Sequence, residues 1–289
     1  MQTEIRKLDT EDFKLVQNMQ TSVADDYIPQ AFHNLIIEPN ILYGLFVDGQ
    51  LVSIAGYSIF AEELAMLGRL RSDVHFHGHG FATDIMAYIR DAAFENPRIR
   101  WVGANTQEEN RPTNRVLDKI GFSQHISTYS AIAADVTGFE RQGKTWSKID
   151  DLKRKRYWLD KVYATETTFF PYECYYLLPS IPKLFTEDTI VNWTFYENSA
   201  QTRMIIMKHD EKKQTYLHVI YPWDDITEQP GLWETITKAQ QQLEKRLKTD
   251  VFIWMDLSKQ TVNKLPDNHP FDLPSPWTLY AAYREACHE

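Results

Sequence analysis

Three histidines and two glycines interleave at His75-Phe-His77-Gly78-His79-Gly80, with Phe81-Ala82 directly after them. Residues of these types at this spacing can do two kinds of chemistry. A glycine-rich turn at a helix N-terminus offers unpaired backbone N–H groups at the positive end of the helix dipole, which is a phosphate site. Histidines at alternate positions of an extended strand share a face and can hold a metal ion. Here the glycines put a turn between the rings and splay them, and no carboxylate cluster adjoins. Phosphate is therefore the expected ligand of the loop, and no metal is expected.

The elements around the loop support that reading. Phe81, Ala82, Ile85, Met86, Ile89, Ala92 and Ala93 recur at the helical period, and Pro97 ends the run. Upstream, Ala65, Leu67 and Leu70 suit a strand entering the loop. Further upstream, Ile41–Val47, the Asp48-Gly49 turn and Leu51–Phe60 form the clearest hairpin of the chain. Thr3–Leu8 reads as a first strand, followed by helical stretches with inner faces at Phe13 and Val16, and at Ile28, Phe32 and Leu35. After the loop helix come a strand over 98–104, a helix over 110–120 ended by Gly121, and two short extended runs between Ile126 and Val136.

Composition narrows the class. The chain has 289 residues, 43% of them hydrophobic and 13% aromatic, which predicts a well-cored protein of two domains. A formal net charge of −9 argues against nucleic acid as a partner and mildly favours cationic substrates. Cys174 and Cys287 form no CxxC pair, so a disulfide framework or thiolate zinc site is not expected. No apolar run approaches a membrane span and the N-terminus lacks an apolar signal core, so a cytoplasmic location with no membrane partner is the expectation.

In this order, β-α-α-β-β-β-(Gly loop)-α-β-α-β-β, the first 136 residues resemble the GCN5-related N-acetyltransferases, the GNAT superfamily. His77-Gly78-His79-Gly80-Phe81-Ala82 is similar to that family's Arg/Gln-x-x-Gly-x-Gly/Ala loop after the fourth strand. Asn110-Arg-Pro-Thr113-Asn114, continuing to Lys119-Ile-Gly121-Phe122, is similar to its second signature. The resemblance implies an α+β fold with a mixed, mostly antiparallel sheet flanked by helices. It implies acetyl-CoA as co-substrate, its pyrophosphate on the amides of His77, Gly78, His79, Gly80, Phe81 and Ala82. Its pantetheine arm would lie along Leu70 and Arg71, with Asn110 and Asn114 beside it.

The resemblance also implies where the proton chemistry belongs. Family members often use a Glu near the start of the central strand as base, so Glu62 and Glu63 are candidates. Asp25, Asp26 and Tyr27 fall in the region that lines the acceptor site in the family, although acids there also serve as helix caps. The sequence departs from the family at two points. His77 replaces Arg or Gln. Leu117 stands where many members have a Tyr that protonates the thiolate, and Leu has no proton to give. Tyr43, Tyr57 and Tyr129 are the candidates to replace it.

The remainder differs in composition. Only Gly143 and Gly231 of the eleven glycines follow Gly138, and Trp101 alone of the eight tryptophans precedes residue 140. The division expected is an acetyltransferase domain over 1–138 and an accessory α+β domain over 139–289. Ser147–Val162 reads as a partly exposed helix with a solvated Lys153–Arg156 run. Extended runs follow at 172–178, 189–196, 202–208 and 215–221, then a helix from Leu232 to Leu247 and strands at 251–257 and 277–283. This order repeats the centre of the first domain, so the second half reads either as a degenerate GNAT-like half or as an unrelated α+β domain. Its counterpart loop, Tyr221–Gly231, holds three acids and two prolines, which oppose pyrophosphate binding. Covering the acceptor site, selecting substrate or forming a homodimer are the roles left to it.

The function expected is acetyl transfer to a primary amine of a small molecule or peptide, by direct attack in a ternary complex. The alternative is a non-catalytic acyl-CoA-binding or regulatory protein, which the missing Tyr at position 117 keeps open.

Overall fold

The computed structural model of the chain describes residues 2–165 and 167–284. The chain forms two compact units, Met1–Ile126 with Thr278–Glu289, and Ser127–Trp277.

The first unit contains β1 (Thr3–Lys7), α1 (Phe13–Asn18), α2 (Ile28–Leu35), β2 (Asn40–Val47), β3 (Gln50–Phe60), β4 (Leu64–Ser72), α3 (Phe81–Glu95), β5 (Trp101–Gln107) and α4 (Arg111–Lys119). β6 (Ser123–Ala133) begins in this unit and ends in the second. The second unit continues with β7 (Ser147–Ile149), α5 (Leu152–Val162), β8 (Phe169–Glu173), β9 (Tyr176–Pro179), α6 (Glu187–Val191), β10 (Thr194–Glu197), β11 (Met204–Glu211), β12 (Thr215–Ile220), α7 (Leu232–Leu247), β13 (Phe252–Leu257) and α8 (Lys259–Val262). β14 (Trp277–Tyr283) returns the chain to the first unit.

In the first unit β1 to β4 are an antiparallel meander, and α3 crosses over to place β5 parallel to β4. The β2–β3 hairpin turns on Asp48 and Gly49 at φ +47° and +82°, the pair of left-handed residues that a two-residue turn of this hand requires. β2 reads as an unbroken apolar run because both faces of the sheet are covered. Leu45, Ala55 and Leu67 pack with Phe81, Ile85 and Ile89 of α3, whereas Leu42, Phe46 and Ile54 pack with Ile28 and Phe32 of α2. Each such fully buried side chain contributes about 1.5–3 kcal/mol.

The second unit repeats this plan. β7, β10, β11 and β12 are antiparallel neighbours, and α7 crosses over to place β13 parallel to β12. The strand orders are β1-β2-β3-β4-β5-β14 in the first unit and β7-β10-β11-β12-β13-β6 in the second. Each sheet thus takes its sixth strand from the other half of the sequence. The compact units therefore divide at 126/127 and 277/278, whereas the composition of the sequence suggests 138/139. Residues 129–133 pair with β13, and 278–283 belong with the first unit.

Local differences from the sequence reading have local causes. The two short runs between Ile126 and Val136 are one strand to Ala133. Ser147–Ile149 is a strand, and α5 starts only after Asp151 caps it. The run 189–196 is split, because Thr186 caps a helical turn, α6, before β10 starts at Thr194. The Lys153–Arg156 run is not a solvated face. Arg154 pairs with Glu197 at 2.7 Å, buried Lys155 donates to the carbonyls of Ile190 and Trp193, and Arg156 donates to that of Phe185.

Candidate active site

β4 carries the site. It pairs in parallel with β5 from Leu64↔Trp101 to Leu67↔Ala104, and the printed register ends there, although both strands run on. β4 keeps its pairing to β3 as far as Ser72, with a register shift between Ile54 and Gly56. Arg69 lies within the shift at φ +62°, the conformation of a bulge. The backbone of 68–72 that faces away from β3 is thus left without a strand partner from β5, and a wedge opens between β4 and β5.

The wedge leads to the glycine loop. Asp73 ends β4, is buried, and caps the turn of 3-10 helix at Val74–Phe76 through the His75 N–H. It also accepts the Gln20 N–H at 3.1 Å, and Val74 N–H donates to Gln20 O at 2.8 Å, which ties the loop to the chain between α1 and α2. Burial alone would raise the Asp73 pKa; the hydrogen bonds from His75 and Gln20 outweigh it and lower it.

Gly78 and Gly80 have φ of +83° and +90°, and Gly80 caps α3 in the left-handed conformation. A β-carbon at either glycine would meet no atom within 4 Å. Among the described residues, the N–H groups of Gly78, His79, Gly80, Phe81 and Ala82 find no acceptor; the first helical turn begins with Thr83 and Asp84 donating to Gly80 O. The arrangement is an open cradle of donors at the positive end of a helix, and it fits a pyrophosphate. The histidines do not converge. His75 Nδ1 is bound to Asp73 Oδ1 at 2.8 Å. His79 Nδ1 lies 3.1 Å from His77 O, and the His79 ring stacks on Phe81. His77 is exposed at the turn.

The other sequence candidates fall as follows. Leu70 packs against the α3 core, and Arg71 forms a bidentate pair with Asp26, Nε to Oδ2 at 2.8 Å and Nη2 to Oδ1 at 2.9 Å. Asp26 is therefore neutralised from β4 and does not present a free charge to a cationic amine. Asn110 caps α4 through the Thr113 N–H, and Asn114 Nδ2 donates to Glu108 O at 2.9 Å, both at the start of α4. Glu62 and Glu63 lie in the turn before β4, Glu63 on Arg100 at 2.6 Å and Glu62 within 4.0 Å of Arg98. They sit at the end of β4 away from the wedge. From Glu63 to Gly68 is five residues, or roughly 16 Å of strand, so the structure does not bring either carboxylate to the cleft. Tyr129 is in the second unit, paired with Leu257 on β13. Tyr43 and Tyr57 are buried against each other in the α3 core, where burial raises both phenol pKa values. Leu117 is 0% exposed in the same core.

Arg69, at the bulge of β4, is not among the sequence candidates. Its Nη2 donates to Asn40 Oδ1 at 2.8 Å and Ser58 Oγ at 2.6 Å, so its guanidinium reaches back over β3 and β2, on the side of β4 away from β5. The only sequence signal was the polar Asn40 and Ser58 in otherwise apolar strands.

The family model described as an acetyltransferase (GNAT) domain matches residues 5–123. Residues 5–123, less than half of the chain, thus have the GNAT fold. GNAT acetyltransferases use acetyl-CoA. Solved structures extend the likeness in fold along the chain. A GCN5-related N-acetyltransferase from Sphaerobacter thermophilus is 11% identical with a TM-score of 0.60, covering 97% of this chain and 95% of that one. A protein from Thermoplasma acidophilum assigned as an acetyltransferase is 15% identical with a TM-score of 0.56, covering 97% and 99%. No curated protein matches in sequence. Among the described residues no helix is long and apolar enough to cross a membrane.

The second unit has the same kind of helix start, but filled. Gly231 caps α7 at φ +76°, as Gly80 caps α3. A β-carbon on Gly231 would lie 1.9 Å from Lys144 O. Glu234 Oε1 accepts the Arg141 and Gly143 N–H groups at 3.0 and 2.5 Å, and Thr235 Oγ1 accepts that of Trp146 at 2.8 Å. The chain over 141–146 thus occupies the ground a phosphate would need. Two of the three acids of this loop are engaged as well: Asp225 takes Arg203 at 2.8 Å and Tyr221 at 2.5 Å, and Asp224 takes Ser258 at 2.5 Å.

Proposed function

We propose that the first unit binds acetyl-CoA and transfers its acetyl group to a primary amine of a small molecule or peptide. The observation that carries this reading is the open cradle of five donors at Gly78–Ala82, at the mouth of the β4–β5 wedge, where the corresponding helix start at Gly231 is filled. Acetyl-CoA supplies the acetyl group as a thioester when bound. The amides of Gly78 to Ala82 and the α3 dipole hold the pyrophosphate, and the unpaired backbone of 68–72 aligns the pantetheine arm as a strand would. Donors at the bulge beside Leu67 stabilise charge on the thioester oxygen. The amine attacks directly, from the face bounded by α1 and α2, with no covalent enzyme intermediate. Arg71 and Asp26 position the wall of that acceptor side. Asn110 and Asn114 at the start of α4 flank the arm.

The test is release of free coenzyme A from acetyl-CoA with a panel of amines and peptides, run beside calorimetric binding of acetyl-CoA. Amine-dependent release that Gly80→Asp abolishes supports the reading. Tight binding without release on any acceptor supports the regulatory alternative, which the fully buried Leu117 at the family's Tyr position favours. Failure to bind acetyl-CoA overturns both.

A further inference from the structure

The second unit holds a buried cluster that acetyl transfer does not use. On the sheet face opposite α7, Lys208 and Asp210 of β11, His218 of β12 and Trp254 and Asp256 of β13 lie together by register, His218 opposite both Lys208 and Trp254. The β8–β9 turn lays Cys174 over them, and its N–H donates to Asp210 Oδ2 at 2.7 Å. A thiol sulfur of Cys174, a carboxylate oxygen of Asp210 and a ring nitrogen of His218 lie within 4.8 Å of one another.

His218 points to a ligand. Its side chain is 0% exposed. Nε2 lies 2.9 Å from Asp256 Oδ2, and Asp256 Oδ2 also takes the Trp254 Nε1–H at 3.2 Å. A carboxylate can only accept, so the imidazole proton sits on Nε2 and Nδ1 carries a bare lone pair. That Nδ1 is buried and has no hydrogen-bond partner among the described residues. A buried acceptor left alone carries the full penalty of its desolvation, and a cation beside it removes that penalty. Asp256 stands to His218 as the outer carboxylate stands to the imidazole in carboxylate–histidine–metal sites.

We propose that Cys174, Asp210 and His218 bind a zinc ion within the second unit. The donor set of thiolate, imidazole and carboxylate suits zinc above the hard cations. Zinc replaces the proton on Cys174 Sγ, which is released to solvent, and it takes the free lone pair of His218 Nδ1. The formal charges then balance: the carboxylates of Asp210, Asp256 and Glu173 and the Cys174 thiolate face Zn2+ and the ammoniums of Lys208 and Lys212. Cys174 is 0% exposed, so the thiol is out of reach of a substrate, and three protein ligands leave the fourth tetrahedral position to water. Asp210, with a side chain 12% exposed, marks the side from which the ion enters. The ion would pin the β8–β9 hairpin to the sheet. No local spacing marks the site, because the ligands are separated by 36 and 8 residues and come from the β8–β9 turn, β11 and β12.

The experiment uses the full chain, stripped by a chelator and titrated with Zn2+ and with Co2+, both folded and during refolding from urea. The expected result is one equivalent bound, one proton released per Zn2+, and a thiolate-to-cobalt charge-transfer band in the near ultraviolet with Co2+. Cys287→Ser should keep the band and Cys174→Ser should lose it. Asp256→Asn should weaken Zn2+ binding about 10–100-fold. Absence of the cobalt band in the unmodified chain overturns the proposal, and so does its loss in Cys287→Ser or its persistence in Cys174→Ser. If Cys174→Ser does not fold, the unmodified chain and Cys287→Ser still decide the matter.

Discussion

Arg71 and Asp26 form a two-bond ion pair that joins the edge of the wedge to the start of α2. Both side chains are largely shielded, at 14% and 15% exposed, so the pair is neither a surface bridge nor a dry one. The fork of the guanidinium sets the distance between β4 and the loop ahead of α2. Arg71→Ala should lower stability by about 1–3 kcal/mol, between the surface and buried cases. Arg71→Lys should not restore it, because an ammonium cannot make both bonds. Urea unfolding measures the loss, and a rise in KM for the amine larger than that for acetyl-CoA would separate acceptor positioning from cofactor binding.

Gly80→Asp should weaken acetyl-CoA binding by at least about tenfold, or 1.4 kcal/mol. The substitution strains a residue at φ +90° and sets a carboxylate among the donors. Calorimetric titration reads the affinity, and a thermal scan shows whether the fold survived. Unchanged affinity would sink the cradle assignment.

Glu62→Gln and Glu63→Gln should leave kcat within about threefold, a change of under 1 kcal/mol in the barrier. Both carboxylates are at the far end of β4, near Arg98 and Arg100. A fall in kcat of a hundredfold in either variant would return that residue to the list of bases.

Leu117→Tyr should not supply a general acid. Leu117 is 0% exposed among the residues of the α3 core, so the ring would overpack it and cost about 1–3 kcal/mol. Steady-state rates and the unfolding midpoint report the two effects. A gain in kcat would mean that position 117 faces the cleft.

Asp73→Asn should reveal a pH-dependent stabilisation. The folded pKa of Asp73 lies below its ordinary 3.8, so its contribution is present above that value and is lost as pH falls through the folded pKa. The stability gap between the unmodified chain and Asp73→Asn should therefore be constant near neutrality and close below about pH 4. A gap that widens in acid would contradict the assignment.

Much of the first unit was legible in sequence because its signals are local. The helix period from Phe81, the Asp48-Gly49 turn and the interleaved glycines act within a few residues, and each appears where the residues demand it. The repeat of topology in the second half was legible too, since the order of elements is a property of the chain. What the sequence could not give was anything set by register or by contacts between distant strands. Whether Glu62 and Glu63 reach the cleft depends on how far along β4 the wedge opens, and a run of residues does not carry that length. Asp26 reads as an acceptor-lining acid or a helix cap until β4 places Arg71 against it. The exchange of β6 and β14 is a choice of neighbour made when the sheets assemble, and the meeting of Cys174, Asp210 and His218 follows from the same assembly. Turns and helix caps are decided by neighbours in sequence. Charge neutralisation, the filled start of α7 and the buried His218 are decided by packing, and only the tertiary structure holds that information.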